Sequence, residues 1–345
     1  MSETTARLSR EQLQSLIYYR NGYTLAKLAL FVAIMAALSW LSWRAEGNPW
    51  IEWACYLGLG YMWMSLVTFM HEATHYTLFP KKWQNWLYGV VSMLPVMITF
   101  VAFKEDHMEH HKYNRSYRDP DSFTMGKRGF LDFLTYYAYI AISIVLTMIH
   151  FTIIYPIKAF TPKLWAIHLG EIALKLLCYW GLITWAQHAG LIEDVLEVWL
   201  WPIAAFSLFN SMRFIVEHYE TPWDQGKLAG TRTLTSNPVH SFFWNNINYH
   251  AGHHLYPKVP YFNLVKLYDM VKPDIAACGG VVDKSYVAVF AKAVVRGPES
   301  EARCEKFLKE RSEKRGAASA SASVYPAAPA VLSPIPGQLA AGGEG

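Results

Sequence analysis

Residues 25–43 read LAKLALFVAIMAALSWLSW. A run of this length and composition constrains the chain more than any other feature. The hydrocarbon core of a bilayer is ~30 Å thick, and about 20 residues of α-helix cross it. Lipid offers no hydrogen bonds, so a spanning segment must satisfy its own backbone, and a helix does so. A second run, 49–70, follows after RAEGN, where Gly47 and Asn48 act as breakers. The two runs predict an antiparallel helical hairpin. Further apolar stretches cover 130–157, 172–186 and 195–215, and a weaker one, 87–103, is interrupted by Gly89 and Pro95. The composition agrees: 53% of residues are hydrophobic, 17% are charged, and 14 Trp and 21 Tyr favour membrane–water interfaces. The fold class expected is an all-α membrane protein, and no internal repeat of fixed period is visible.

Lys and Arg collect in cytoplasmic loops, which orients the runs. Residues 1–27 hold Arg7, Arg10, Arg20 and Lys27; residues 81–128 hold Lys81, Lys82, Lys104, Lys112, Arg115, Arg118, Lys127 and Arg128. Both segments read as inside. The connection QHAGLIEDV (187–195) has Glu193 and Asp194 but no Lys or Arg, and reads as outside. Lys158 and Lys163 place 158–164 inside, so both ends of 130–157 lie on one side. That segment is expected to be a re-entrant or interfacial hairpin, leaving about four transmembrane helices. The polar N-terminus, without a small-residue cleavage site, does not read as a signal peptide. The expected organisation is a cytoplasmic segment 1–24, a membrane domain 25–270, a cytoplasmic segment 271–314 and a disordered Ala/Ser/Pro/Gly-rich tail 315–345. A net charge of +4 gives no reason to expect nucleic acid as a partner. Cys55, Cys178, Cys278 and Cys304 form no C-x-x-C pair.

The chemistry is carried by histidine. Residues 71–75 read HEATH, 107–111 read HMEHH and 250–254 read HAGHH. Positions i, i+3 and i+4 share a helix face, so each block can aim its imidazoles at one point. Eight of 13 histidines fall in these three blocks, which argues against scattered surface histidines. His218 stands just beyond the last apolar run, on the same side by the charge argument. The candidate metal ligands are therefore His71, His75, His107, His110, His111, His218, His250, His253 and His254. Nine imidazoles exceed the four ligands of a tetrahedral zinc and suit two metals with four or five nitrogens each. HEATH alone also fits an intramembrane zinc peptidase with Glu72 as base, but that reading leaves both H-x-x-H-H blocks idle. A metal transporter is disfavoured because the histidines gather on one side of the bilayer. His150, His168, His188 and His240 fall outside the pattern and are expected to pack or to sit at an interface.

With these boxes the sequence resembles the membrane fatty acid desaturase and hydroxylase superfamily, over about residues 50–270. HHKYNRSYRDPDSF after the second box and NPVHSFFWNNINYHAGHHLYPKVPYFNL around the third resemble bacterial fatty-acid-desaturase-like proteins in particular. The resemblance implies a helical membrane anchor under a cytoplasmic helical cap that holds two iron ions at the bilayer surface. It implies the nine histidines as ligands, with Glu72, Asp119 and Asp121 as carboxylates that orient imidazole N–H groups. Some acyl-CoA desaturases place an asparagine four residues before the histidine matched by His218, where it binds one metal through water; here that position is Phe214. The activity implied is O₂-dependent desaturation of a fatty acyl chain or related lipid, with hydroxylation on the same scaffold as the alternative. Implied partners are the bilayer, an acyl lipid or acyl carrier, and an external electron donor, ferredoxin-like or cytochrome b5-like. The implied location is a bacterial inner membrane, with the site facing the cytoplasm.

Overall fold

The computed structural model describes residues 8–45, 47–116, 118–121 and 130–299. The tail expected over 315–345 lies outside them, as do residues 300–314 of the expected C-terminal segment. A short helix α1 (Arg10–Gln14) precedes α2 (Asn21–Arg44) and α3 (Pro49–Thr74). The breaker RAEGN does its work: Gly47 takes φ +84°, and Pro49 starts α3 at a position where its missing N–H costs nothing. Two shorter helices follow, α4 (Lys82–Ser92) and α5 (Phe100–Tyr113), then α6 (Phe130–Ile149), a π-helical turn at His150–Ile154 and α7 (Tyr155–Ala159). Two more long helices, α8 (Pro162–Ala189) and α9 (Ile192–Val216), complete the apolar part. Beyond them lie α10 (Pro238–Phe243), α11 (His250–Leu255), α12 (Leu264–Ala277) and α13 (Tyr286–Arg296). The one departure from an all-α chain among the described residues is a two-residue parallel pairing of β1 (Thr233–Leu234) with β2 (Val282–Asp283).

Five helices are long and apolar enough to cross a membrane by length and composition: Asn21–Arg44, Pro49–Thr74, Phe130–Ala159, Pro162–Ala189 and Ile192–Val216. The sequence expectation was four, and the difference is Phe130–Ala159. This segment is not straight: Ile142 leaves the helical region, with φ −132° and ψ 39°. The Ile144 amide instead donates to Ser207 Oγ on α9, and Ser143 Oγ donates to the Ser207 carbonyl. Before the break, the Tyr136 ring lies 6.5 Å from Tyr219, next to His218. After it, His150 Nε2 is 3.0 Å from Asp106 Oδ1, next to His107. Asp121, Thr135, Tyr139, Ile149, His150 and Ile154 line one cavity of about 230 Å³. A straight helix would hold Thr135 and Ile154 roughly 28 Å apart, too far for one small cavity. Both arms of the segment therefore stand beside histidine-bearing elements.

Helix α8 fixes where α5 begins. The break between α4 and α5 contains Pro95 and leaves free carbonyls and amides. Glu171 accepts from the amides of Phe100 (2.6 Å) and Val101 (3.2 Å), capping the first turn of α5. Lys175 donates to the carbonyls of Met93 and Val96. Both side chains are buried, and together they satisfy a backbone break that apolar surroundings would otherwise leave unpaired.

Candidate metal centre

The histidine blocks occupy four different elements. His71 lies in the last turn of α3 and His75 caps it; His107, His110 and His111 lie on α5; His218 sits two residues past α9; His250, His253 and His254 lie on α11. The short α11 needs outside support. Asn245 donates to the Ser65 carbonyl and to Thr68 Oγ1, tying the approach to α11 onto α3. Asn245 and Asn246 take φ +53° and +55°, a left-handed turn that asparagine tolerates. Asn248 donates to the Leu234 carbonyl and to Ser241 Oγ.

All nine histidines converge, and they divide into two groups. His71, His75, His107, His111 and His253 form one; His110, His218, His250 and His254 form the other. Within each group, one nitrogen per ring lies within 4.8 Å of every other. No ring is more than 9% exposed. Three pairs bring Nε2 atoms face to face: His75 and His107 at 3.0 Å, His111 and His253 at 3.2 Å, His250 and His254 at 3.0 Å. Both nitrogens of His71, Nε2 of His218 and Nδ1 of His111, His250, His253 and His254 are buried without a hydrogen-bond partner. Each such atom costs about 1–3 kcal/mol if left unpaired. A metal takes one nitrogen per ring, so the facing Nε2 pairs, Nε2 of His218 and one nitrogen of His71 are the atoms it would satisfy, and the five-plus-four donor set fits two metal ions.

The electrostatics favour the ligand form. Burial, then neighbouring charged groups, pushes His75, His107, His111, His250, His253 and His254 well below the usual imidazole range, and burial does the same to His218. Neutral imidazole is the species that binds metal. His110 differs. Burial lowers it, but Asp119 and Asp121 outweigh burial and hold it at about 9. Its Nδ1–H donates to Asp119 Oδ1 at 2.8 Å, and Asp121 Oδ2 stands 3.4 Å away. Asp119 is itself fixed by the Arg115 amide. His218 donates Nδ1–H to the Gly230 carbonyl at 3.0 Å. In both rings this arrangement turns Nε2 towards the cluster. We expect Asp119→Asn to weaken metal retention by about 10- to 100-fold, read by competition with a chelator.

Glu72 departs from its expected place. Its carboxylate lies 3.8 Å from His71 Nδ1, too far for a hydrogen bond, because Oε2 is taken by Thr77 Oγ1 (2.8 Å) and the Tyr261 amide (2.9 Å). It joins the first block to the segment after the third. A carboxylate so engaged is poorly placed as a peptidase base. His150 pairs with Asp106, His168 with Thr99 and the Thr152 carbonyl, and His240 with Tyr61; these three and His188 lie outside both groups. Phe214 is half-buried among Tyr136, Tyr139 and Tyr219 and offers no oxygen. Sequence reasoning passed over Glu217, Arg213, Asn245 and Asn248. The doubled Asn245-Asn246 was the one local signal, since paired asparagines mark tight turns.

The family model described as Fatty acid desaturase matches residues 47–285. A sphingolipid delta(4)-desaturase of Candida albicans is 27% identical over 219 residues, 57% of this chain and 56% of that protein. An sn-1 oleoyl-lipid 12-desaturase of Picosynechococcus is 24% identical over 230 residues, 59% of this chain and 63% of that protein. An sn-1 acyl-lipid omega-3 desaturase (ferredoxin) of Nostoc is 21% identical over 246 residues, 62% of this chain and 65% of that protein. The chain thus spans less than two thirds of the length of these curated relatives.

Proposed function

Because the chain belongs to the fatty acid desaturase family, we propose that it is a multi-pass membrane oxidoreductase that inserts a double bond into a fatty acyl chain or related lipid at a diiron centre. The observation that carries this reading is the five-plus-four division of nine buried imidazoles. Those nine residues would hold the iron pair. When bound, the pair supplies O₂ activation with two externally delivered electrons and the power to abstract hydrogen from an unactivated C–H bond.

The chain's own residues do the rest. Asp119 and the Gly230 carbonyl hold the Nδ1 protons of His110 and His218, so that Nε2 stays a lone-pair donor. Burial of every ring keeps bulk water from the centre. The ligands do not choose between desaturation and hydroxylation; the position of the substrate carbon does. The names of the relatives favour desaturation.

Helices α2, α3, α8 and α9 are proposed to cross the bilayer, with Phe130–Ala159 re-entering from the histidine side. Tyr61 beside Phe209 and Gly60 against Ala205 support α3 and α9 running in parallel, with α2 and α8 opposed to them. The positive segments put the histidine face in the cytoplasm, by this reading of a bacterial inner membrane. Lys82 and Lys258 are exposed on that face, and Lys258 Nζ donates to the His75 carbonyl at 2.9 Å. Such charge suits an acidic electron donor of the ferredoxin or cytochrome b5 kind.

The test is iron and product. Detergent-purified protein from cells supplied with iron and zinc should hold about two irons per chain, and lipids of the expressing host should gain a double bond. One zinc without iron would overturn the diiron assignment, and a hydroxylated lipid alone would overturn desaturation.

A further inference from the structure

A second polar cavity lies at the end of the long helices that is furthest from the histidines. About 36 Å of helix separates Asp194 from His218 along α9. The cavity has a volume of about 530 Å³ and is lined by Ser42 and Trp43 at the end of α2, by Gly190, and by Glu193, Asp194 and Glu197 at the start of α9. No lining residue is basic. Gly190 ends α8 in the left-handed region, φ +70°, and α9 begins two residues later. That tight turn brings the first turns of α9 beside the end of α2.

The helix dipole favours acidic residues in a first turn, which accounts for Glu193 and Asp194. It does not account for Glu197 in the second turn. Glu197 stands four residues from Glu193 and three from Asp194, spacings at which like charges meet and repel. Its Oε1 accepts from the Tyr56 hydroxyl on α3, which fixes the carboxyl group. Ser42 supplies an independent sign. It is 1% exposed, it lines the cavity, and its Oγ has no hydrogen-bond partner. A helical serine can return its hydroxyl to the preceding turn, and this one does not.

Three acidic side chains and an unpaired hydroxyl oxygen call for a cation that donates hydrogen bonds. A metal ion does not fit. Among the described residues, these three acids do not gather their oxygens within 4.8 Å of one another, as the histidine groups gather nitrogens. The cavity is also far larger than a bare ion. A primary ammonium has three N–H donors to share among separated oxygens, whereas a quaternary ammonium has none. Trp43 adds an indole of the kind that attracts ammonium groups. Trp40, Trp43, Trp50 and Trp53 are all exposed at this end, and such aromatic belts lie at the depth of lipid headgroups.

We propose that this cavity binds the primary ammonium of an ethanolamine-type phospholipid headgroup, in the leaflet opposite the histidine face. The lipid would tie the ends of α2, α8 and α9 together. The proposal rests on the bilayer crossing of those helices proposed above, and not on the iron pair.

The experiment is thermal unfolding of the full chain in detergent, titrated with phosphatidylethanolamine, phosphatidylcholine or phosphatidylglycerol of identical acyl chains, and separately with free ethanolamine. Phosphatidylethanolamine should raise the midpoint, because a ligand that binds only the folded protein stabilises it. The other two lipids should not match it. Glu193→Gln with Asp194→Asn should abolish the difference between the lipids. Ser42→Ala keeps every charge, should weaken binding about tenfold, and serves if the double variant does not reach the membrane. Equal stabilisation by phosphatidylethanolamine and phosphatidylcholine would overturn the proposal, as would an undiminished lipid preference in the double variant. Free ethanolamine as effective as the lipid would overturn a lipid source. Release of wild type from membranes by alkaline carbonate would instead remove the bilayer crossing itself.

Discussion

His253→Ala should abolish turnover while leaving membrane insertion intact. The ring of His253 is fully buried, 4.5 Å from that of His71, 4.8 Å from His75 and 4.9 Å from His111. Its Nε2 faces His111 Nε2 at 3.2 Å. Removing it takes one of five nitrogens from the larger group and leaves a void that no neighbouring side chain fills with a donor. Loss of a residue that merely orients a ligand costs about 10- to 100-fold, so loss of a ligand should exceed about 100-fold in activity. His110→Ala should do the same to the smaller group. Neither ring belongs to a lipid-facing surface, so membrane fractionation should be unchanged while iron content and product both fall. Full activity in either variant would refute the ligand assignment.

The reasons these histidines were legible in the sequence, and their surroundings were not, are physical. Helical spacing is local: i, i+3 and i+4 place His107, His110 and His111 on one face of α5 whatever the tertiary structure does. Charge flanking is also local, and Lys158 and Lys163 are why the sequence reads 130–157 as beginning and ending on one side. The break within that segment was invisible. The helix Phe130–Ile149 contains neither Gly nor Pro, and its break at Ile142 is made by Ser207 on α9, 65 positions away. Glu217 was hidden for the same reason, since its Oε2 lies 3.3 Å from Nε2 of His250, 33 positions later. Glu171 and Lys175 flank or interrupt what reads as an apolar stretch, and only the fold shows that they satisfy the broken backbone ahead of α5. Local periodicity reveals which histidines can share a face; it does not reveal what aims them.

Gly60→Leu should strongly destabilise the protein and disturb the histidine centre from a distance. Gly60 lies on α3 about 16 Å below His71, by the rise of 1.5 Å per residue. A Cβ at this position would stand 2.7 Å from the Phe206 amide nitrogen, 2.8 Å from Ala205 Cβ and 2.9 Å from the Ala205 carbonyl carbon. Two of these are backbone atoms of α9, so no rotamer change relieves the clash. The helices must move apart. Small residues allow such close approach between helices in lipid, where association depends on packing and not on a hydrophobic drive. Overpacking costs about 1–3 kcal/mol where side chains can yield, and here the backbone must yield instead, so about 3 kcal/mol is the expected floor. The consequence reaches the metal centre because α3 carries His71 and His75 while α9 leads directly into Glu217 and His218. Splaying the pair pulls donors of the two groups in different directions. Thermal unfolding in detergent should shift down by several degrees, by analogy with about 4–8 °C per kcal/mol in small domains and less in larger ones. Iron should be lost at temperatures where wild type retains it. Gly58→Leu is the control: its added Cβ meets only the Leu38 side chain, at 3.0 Å, which can rotate away. Equal damage from both variants would show that the α3–α9 crossing does not set the geometry of the centre.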